Sequence, residues 1–279
     1  MTTAFFARQE RFDAVGSTND VVRDWLAGGT PEVCLAVADE QTAGRGRNGR
    51  TWSAPRGAAL LLSLGFRPRW LAPEHTWRLA ATAALAMADA AEEAAGLPDG
   101  LIRLKWPNDL VRVADGADGQ TEVRKLAGLL GETAGLGSDD PRVVVGLGIN
   151  ADWPASAFPP QLAGTMTSLR EASGGRPVDL ALLLDAFLSR LEVRIEALRG
   201  GRFDVADWIA RQATTGHTIR LDHPDGRSEI VSALGVDVGT GALVVADPAA
   251  ANGERSVHAA EIGRLRLEPD DRTPVQSGV

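Results

Sequence analysis

The sequence predicts an α+β fold in which a mixed β-sheet flanked by helices, in residues 1–214, is followed by a small β barrel in residues 215–268. Two observations support this prediction. In the first part, segments with helical periodicity alternate with apolar runs of strand length. After Gly216 only short β runs follow, and glycine-containing turns separate them. The tail at 269–279 is charged and contains proline, so it is predicted to be disordered.

The expected helices are delimited by residues typical of helix termini. Ser17 can cap the first helix, and Asp20 then places a negative charge in its first turn. Gly96 and Gly200 end the two longest helical patterns. In chain order, the predicted helices cover 17–28, Pro73–Ala95, Asp179–Leu198 and Phe203–Gln212.

The strands are predicted from short apolar or alternating runs that are bounded by turn residues. In the larger part they cover Arg8–Val15, Val33–Ala38, Ala58–Phe66, Leu101–Lys105, Val123–Glu132 and Arg142–Ile149. In the smaller part they cover Thr218–Leu221, Glu229–Gly235, Ala242–Ala246 and Ile262–Leu267. The polar stretch Asp115–Gln120 contains two glycines and is predicted to be a hairpin loop.

Composition excludes several classes of protein. The net charge of the 279 residues is -8, so a general nucleic-acid-binding surface is not expected. No apolar run approaches the length of a membrane span, and the N-terminus lacks the pattern of a signal peptide, so we expect a cytoplasmic protein without a membrane segment. The single cysteine, Cys34, lies in an apolar run and is expected to be a core residue rather than a catalytic thiol.

The stretch Gln41–Trp52 carries the strongest chemical signal, because three arginines alternate with three glycines between two predicted strands. Glycine allows the backbone to approach a ligand, and the arginine guanidinium suits carboxylate and phosphate oxygens, so we interpret this stretch as an anion-binding loop. A dinucleotide-binding loop is a poor alternative, since Thr51–Pro55 does not begin a helix. A solvated Gly/Arg surface loop is the plainer alternative.

Three further stretches could bind a ligand, namely Lys105–Asp109, Lys125–Gly128 and Gly146–Asn150. Each is a weak signal alone, because a lysine in a strand is usually solvated and a glycine-rich strand end is usually a turn. The four histidines lack the spacing of a zinc site, so no metal ligand is assigned.

Taken together and in this order, the stretches resemble the biotin protein ligases, also called biotin–[acetyl-CoA-carboxylase] ligases. The resemblance covers residues from about Gly16 to Asn150 and includes Lys-Trp-Pro-Asn-Asp, Lys-Leu-Ala-Gly and Gly-Leu-Gly-Ile-Asn. It implies a class II synthetase-like catalytic domain with a small C-terminal SH3-like barrel. It also implies two steps: biotin and ATP form biotinyl-5′-AMP, and a lysine of an acceptor protein then takes the biotinyl group.

The resemblance also implies roles for individual residues. The expected biotin-binding residues are Ser17, Thr18, Asn19, Gln41, Arg45, Gly46, Arg47 and Lys125. The expected ATP-binding residues are Arg47, Arg50, Trp52, Lys105, Asn108, Lys125 and Asn150. Lys125, Arg47 and Lys105 are expected to be catalytic, and Lys125 is the strongest candidate. Mg²⁺ is expected to bind through the ATP phosphates.

The implied acceptor is a biotin carboxyl carrier domain of an acetyl-CoA or acyl-CoA carboxylase. Few residues precede Ser17, so a DNA-binding domain is not expected, and the protein is predicted to be a monomer or a weak homodimer. Lipoate–protein ligase is the nearest alternative function, and a non-enzymatic biotin-responsive regulator is a second. We also expect Arg45–Arg50 to be mobile or protease-sensitive without ligand and protected by biotinyl-AMP.

Overall fold

The computed structural model describes residues 5–115 and 121–268. Its larger part alternates strands and helices. In chain order these are β1 (Arg8–Phe12), α1 (Thr18–Ala27), β2 (Cys34–Ala38), β3 (Ala59–Phe66), α2 (Trp77–Ala95), β4 (Ile102–Lys105), β5 (Asp109–Asp115), β6 (Thr121–Ala134), β7 (Arg142–Asn150), α3 (Leu169–Ala172), α4 (Leu180–Arg199) and α5 (Val205–Ala210).

The seven strands form one mixed sheet in the order β1-β2-β3-β7-β6-β5-β4. Strands β1 and β2 pair in parallel, and each of the other neighbouring pairs is antiparallel. Helices α2 and α4 cover one face and bury the main apolar core with side chains such as Phe66, Leu85 and Phe187. Helix α1 packs on the other face through Val22 and Leu26.

The residues at the helix termini explain where the helices begin and end. Asp179 caps α4 because its carboxylate accepts the backbone N–H of Ala181 at 2.8 Å. Gly96 ends α2 in the left-handed conformation, with φ at 59°, which glycine adopts without strain. The expected cap at Ser17 is wrong in detail: Ser17 occupies the N-cap position, but its side chain makes no capping hydrogen bond.

The smaller part is a five-stranded antiparallel sheet in the order β11-β10-β9-β8-β12. Its strands are β8 (Thr218–Asp222), β9 (Ser228–Val236), β10 (Leu243–Ala246), β11 (Glu254–Val257) and β12 (Arg264–Leu267). Trp106, from the turn after β4, is buried in the apolar core of this second sheet and donates its Nε1–H to Gly241 O at 3.0 Å. The turn that carries the Lys105–Asp109 motif is therefore anchored in the smaller part.

The structure confirms the α+β class, the mixed sheet and the C-terminal β part, with some differences in the elements. Strands β5 and β11 and the short helix α3 were not predicted. Helix α2 begins at Trp77 rather than Pro73, because a 3₁₀ turn precedes it, and β1 ends at Phe12 rather than Val15. Most of the Asp115–Gln120 loop and the tail at 269–279 lie outside the described residues. The boundary between 214 and 215 stays a prediction.

Two expectations from composition concern single features. Within the described ranges, none of the helices combines the length and the apolarity that a membrane crossing requires. Cys34 is fully buried in β2, and burial raises the pKa of its thiol to about 11. The cysteine is thus a core residue, as predicted.

Candidate functional site

The first turn of α1 is a polar cluster seated directly on the sheet. Thr18 and Asn19 are buried, and Gln41 Oε1 accepts hydrogen bonds from the Thr18 N–H at 2.8 Å and from Thr18 Oγ1 at 3.1 Å. Ser63 of β3, which no pattern in the sequence indicates, places its Oγ 2.6 Å from Asn19 Oδ1 and 2.7 Å from Thr18 Oγ1. The structure therefore brings Thr18, Asn19 and Gln41 together, with Ser17 buried beside them.

Glycines of β6 and β7 let side chains lie against the sheet next to this cluster. A Cβ atom added at Gly146 would overlap Asn19 Oδ1, and one added at Gly148 would lie 2.6 Å from the Trp52 ring. At Gly128 an added Cβ would lie 3.2 Å from the same ring. These three glycines, which we call the glycine floor, thus support Asn19 at one end and Trp52 at the other.

Lys125 stands beside Trp52 at the second end of the floor. Its Nζ lies 5.4 Å from the centroid of the Trp52 ring and 2.6 Å from Asp109 Oδ1. The register between β5 and β6 shifts here, because Leu110 pairs with Ala127 whereas Val111 pairs with Lys125. A bulge of this kind redirects a side chain, and such bulges are frequent beside functional sites. Asp109 follows directly after Asn108 in the motif, but its pairing with Lys125 was not foreseen.

The arginine loop makes two kinds of contact. Arg45 forms a bidentate pair with Asp20, at 2.7 and 2.8 Å, and also contacts Glu132 at 3.2 Å. These carboxylates raise the pKa of Arg45, through hydrogen bonding to Asp20 above all. Its charge is thus already neutralised by the protein, and the biotin-binding role implied by the resemblance would require it to change partners.

Arg47 and Arg50 instead reach main-chain carbonyls of the smaller part. Arg47 Nη2 donates to Ala259 O and, at 3.2 Å, to Ile262 O, while Arg50 Nη2 donates to Gly263 O at 3.0 Å. Gly46 closes the base of the loop by donating its N–H to Arg50 O at 2.7 Å. The loop therefore has definite partners in the structure, whereas its protection by a ligand stays a prediction.

Lys105 belongs to the same group of cations. Its Nζ donates to Leu265 O at 2.9 Å. Burial lowers the pKa of Lys105 and of Arg47, because the charged forms are partly removed from water, and the carboxylate of Asp109 opposes this shift. Arg264 of β12 adds a further positive charge near Lys105 and Arg50. The region is consequently suited to a polyanion.

A cavity of about 430 Å³ lies beside these cations, between α2, the turn from β4 to β5, residues 129–131 of β6 and the smaller part, and its lining does not include Lys125 or Trp52. Arg47, Lys105, Asn108 and Asp109 lie on its wall. Asn108 is fixed by its backbone and side chain, since its Nδ2 donates to Leu129 O at 2.6 Å. The side chain of Asn108 is thus held in place beside the cavity.

Asn150 lies at the end of β7, two residues after Gly148 and on the same face of the sheet. It is buried, and its Nδ2 donates to Thr167 O at 2.9 Å. One of its amide N–H groups is therefore satisfied within the protein. Contact between Asn150 and an adenine stays a prediction.

The described residues contain no cluster of three or more His, Cys, Asp or Glu side chains that could hold a metal ion. Asp109 and Asn108 nevertheless offer one carboxylate and one amide oxygen beside the cations. Mg²⁺ usually keeps water and phosphate ligands and takes only one or two protein carboxylates. These residues therefore fit a metal that arrives with a polyphosphate.

Comparison with known proteins places the chain among ligases. Residues 12–150 match the model of the biotin/lipoate A/B protein ligase family. The chain is 33% identical over 225 residues to a biotin–[acetyl-CoA-carboxylase] ligase of Mycobacterium tuberculosis, covering 80% of this chain and 77% of that one. It is 32% identical over 241 residues to a ligase of the same name from Paracoccus denitrificans, covering 85% and 92% of the two chains.

A similar fold is found in the biotin protein ligase of Aquifex aeolicus solved with biotin and ATP. The TM-score is 0.73 at 23% identity, over 94% of this chain and 100% of the other. At this level of identity the match supports the architecture, and the matches above carry the assignment to a family.

Proposed function

The chain belongs to the biotin/lipoate A/B protein ligase family, and we propose that it activates biotin with ATP and transfers the biotinyl group to a lysine of an acceptor protein. The observation that supports this best is the glycine floor. It sets a polar cluster, an aromatic ring and a lysine in one row along a single face of the sheet. One small molecule can reach all three.

The polar end suits the ureido ring of biotin. That ring offers one carbonyl acceptor and two N–H donors, so its site needs both donors and acceptors. The hydroxyls of Ser17 and Thr18 can serve as either, and the side-chain amides of Asn19 and Gln41 carry both kinds of group. Their burial means that a ligand lacking these groups would leave polar atoms unpaired, which disfavours it.

The cationic end suits the reacting groups. In the first step a carboxylate oxygen of biotin forms a bond to the α-phosphorus of ATP, and the bond from that phosphorus to the bridging oxygen breaks as pyrophosphate leaves. Both reactants are anions and repel each other. Lys125 can lie between them, while Arg47 and Lys105 hold the phosphates and stabilise the charge that develops. Asp109 orients Lys125 through their 2.6 Å contact.

Trp52 and Mg²⁺ are the remaining groups expected to bind ATP. Trp52, whose ring atoms lie against Gly148 and Gly128, is the aromatic side chain that would stack on the adenine. A Mg²⁺ ion bound with ATP would neutralise phosphate charge, and Asp109 and Asn108 would be the protein groups to hold it.

In the second step the amine of an acceptor lysine attacks the carbonyl carbon of biotinyl-5′-AMP. The C–N bond forms, the C–O bond to phosphate breaks, AMP leaves, and the amine loses a proton. The names of the relatives support a biotin carboxyl carrier domain of an acetyl-CoA carboxylase as the acceptor. Monomer or weak homodimer, absence of DNA binding and a cytoplasmic location stay predictions.

The decisive experiment is biotin-dependent exchange of labelled pyrophosphate into ATP. Lys125→Ala is the test variant, and Arg124→Ala is its matched control, because Arg124 is the adjacent cation and pairs with Glu122 at 2.7 Å. We expect exchange in the wild type and in Arg124→Ala, and a loss on the order of 10²–10³-fold in Lys125→Ala.

Two results would contradict the proposal. Exchange that lipoate supports but biotin does not would identify a lipoate ligase instead. A wild-type protein that binds biotin but supports no exchange with either acid would favour a biotin-responsive regulator.

A further inference from the structure

One segment of the smaller part accepts hydrogen bonds from three cations of the candidate phosphate site. This segment, residues 259–265, includes a 3₁₀ turn at Ala259–Glu261 and the start of β12, and we call it the strap. The cations Arg47, Arg50 and Lys105 each donate to it. Its acceptors are the main-chain carbonyls of Ala259, Ile262, Gly263 and Leu265.

The chemical nature of these acceptors matters. A carboxylate would fix an arginine but would also cancel its charge, as Asp20 and Glu132 do for Arg45. A carbonyl is neutral, so it fixes the direction of the cation and leaves the charge for an incoming anion. Within the described ranges, Arg47, Arg50 and Lys105 form no salt bridge, although the neighbouring Arg45 forms two.

The contacts use only some of the donors. Arg47 donates to both of its carbonyls from Nη2, so these contacts do not use its Nε–H and Nη1–H groups. Lys105 donates with one of the three N–H groups of its ammonium. Both residues lie on the wall of the 430 Å³ cavity. The proposed function places the ATP phosphates at this wall.

We propose that the strap is a positioning element for the nucleotide, orienting the three cations toward the ATP phosphates without neutralising them. The inference rests on the proposed function, because it assumes that the anion bound here is the ATP triphosphate. It assigns a task to the smaller part, namely to complete the ATP site while leaving the biotin end of the glycine floor untouched.

Two residues outside the cation set act as positioning residues in this scheme. Asn48 donates from Nδ2 to Gly263 O at 2.9 Å and so ties the turn of the loop to the strap. Glu261 folds the 3₁₀ turn of the strap, because its carboxylate accepts the His258 N–H at 3.1 Å while its own N–H donates to His258 O at 3.0 Å. Neither side chain is needed to touch a ligand.

The test compares variants of these two residues in the full-length protein. Asn48→Gly removes the amide but tolerates the left-handed backbone at this position, where φ is 56°. Glu261→Ala removes the carboxylate that shapes the turn, and Glu261→Gln keeps an acceptor oxygen in the same place. For each variant we would measure KM for ATP by pyrophosphate exchange, and the dissociation constants of biotin and of MgATP by calorimetry.

We expect Asn48→Gly and Glu261→Ala to raise KM for ATP about 2- to 10-fold, the effect of losing one orienting hydrogen bond. Glu261→Gln should restore the wild-type value, and biotin binding should change less than about twofold in all three variants. An unchanged KM for ATP in both Asn48→Gly and Glu261→Ala would overturn the inference. So would an equal loss of biotin affinity, because the strap would then act on the whole fold.

A failure of the ligase assignment can be distinguished from a failure of the strap proposal. If the wild type supports no exchange, the ligase assignment fails, but MgATP binding measured by calorimetry still decides whether the strap orients the cations. Weaker MgATP binding in the variants would then support the strap, and equal binding would refute it.

Discussion

Substitution of the glycine floor should separate the two ends of the site. Gly148→Ala places a methyl group 2.6 Å from the Trp52 ring, whereas Gly146→Ala places one against Asn19 Oδ1. Both glycines belong to β7, two residues apart, so the backbone context is nearly the same. We expect the first variant to impair the nucleotide and the second to impair biotin.

The size of each effect follows from these contacts. A carbon atom in ordinary contact lies about 3.5–4.0 Å away, so the Trp52 ring must retreat by roughly 1 Å in Gly148→Ala. Stacking of a base on an aromatic side chain contributes about 1–3 kcal/mol, so its loss would raise KM for ATP by about 5- to 150-fold. In Gly146→Ala, Asn19 must shift from the position in which it contacts Ser63, and each ligand hydrogen bond that is lost would weaken biotin binding about 2- to 10-fold.

The assay combines calorimetric titration with biotin and determination of KM for ATP by pyrophosphate exchange. Gly235→Ala is the control, because this glycine lies in β9 and a Cβ added there meets no heavy atom within 4 Å. The reasoning would be refuted if both floor variants weakened biotin and ATP to the same extent. It would equally be refuted if Gly148→Ala left KM for ATP at the control value.

Three further predictions concern single groups. Burial lowers the pKa of Lys105, so this lysine should lose its proton at a lower pH than an ordinary lysine. MgATP affinity should therefore fall as the pH rises toward about 10, and the fall should be absent in Lys105→Arg, because arginine stays protonated. Calorimetric titration with MgATP at intervals of ~1 pH unit across pH 7.5–10 measures this fall. Cys34, with its thiol pKa raised to about 11 and no exposed surface, should react with a disulfide reagent at neutral pH only after denaturant is added, and a native-state reaction within minutes would contradict its core position. Arg211→Ala should lower the free energy of unfolding by about 3–5 kcal/mol, because it leaves the buried carboxylate of Glu92 without its ion-pair partner. Urea titrations measure this change, and the exposed control variant Arg227→Ala should show no measurable change.

Much of the fold could be predicted because its buried strands are uniformly apolar. Strand β3, for example, is buried along its whole length and consists of apolar residues and glycine apart from Ser63. Strand β11 was missed for the opposite reason: it is an edge strand whose Glu-Arg-Ser-Val sequence has only one apolar residue. An edge strand buries little, so hydrophobic periodicity carries little information about it.

The candidate site could be predicted only where side chains carry the signal. Lys125 and Trp52 lie in stretches that carry the resemblance, and the structure places Lys125 Nζ 5.4 Å from the centroid of the Trp52 ring. The pairing of Lys125 with Asp109 depends on the bulge in β6, and a one-residue shift of register cannot be deduced from alternation alone. The strap left no trace in the sequence at all, because its acceptors are main-chain carbonyls, which every residue has.

The contrast between Arg45 and Arg47, two residues apart on one loop, shows how an acidic protein can keep a local positive site. The chain has a net charge of -8, so carboxylates are plentiful, yet those beside the loop pair with Arg45. Arg47 and Lys105 are instead buried against carbonyls at some cost, as the lowered pKa of each indicates. A polyanion that binds here offsets the free-energy cost of burying these cations, because it supplies opposite charge in a partly desolvated site. Binding energy at this end of the site therefore depends on the smaller part staying docked, and the nucleotide should in turn stabilise that docking by mass action.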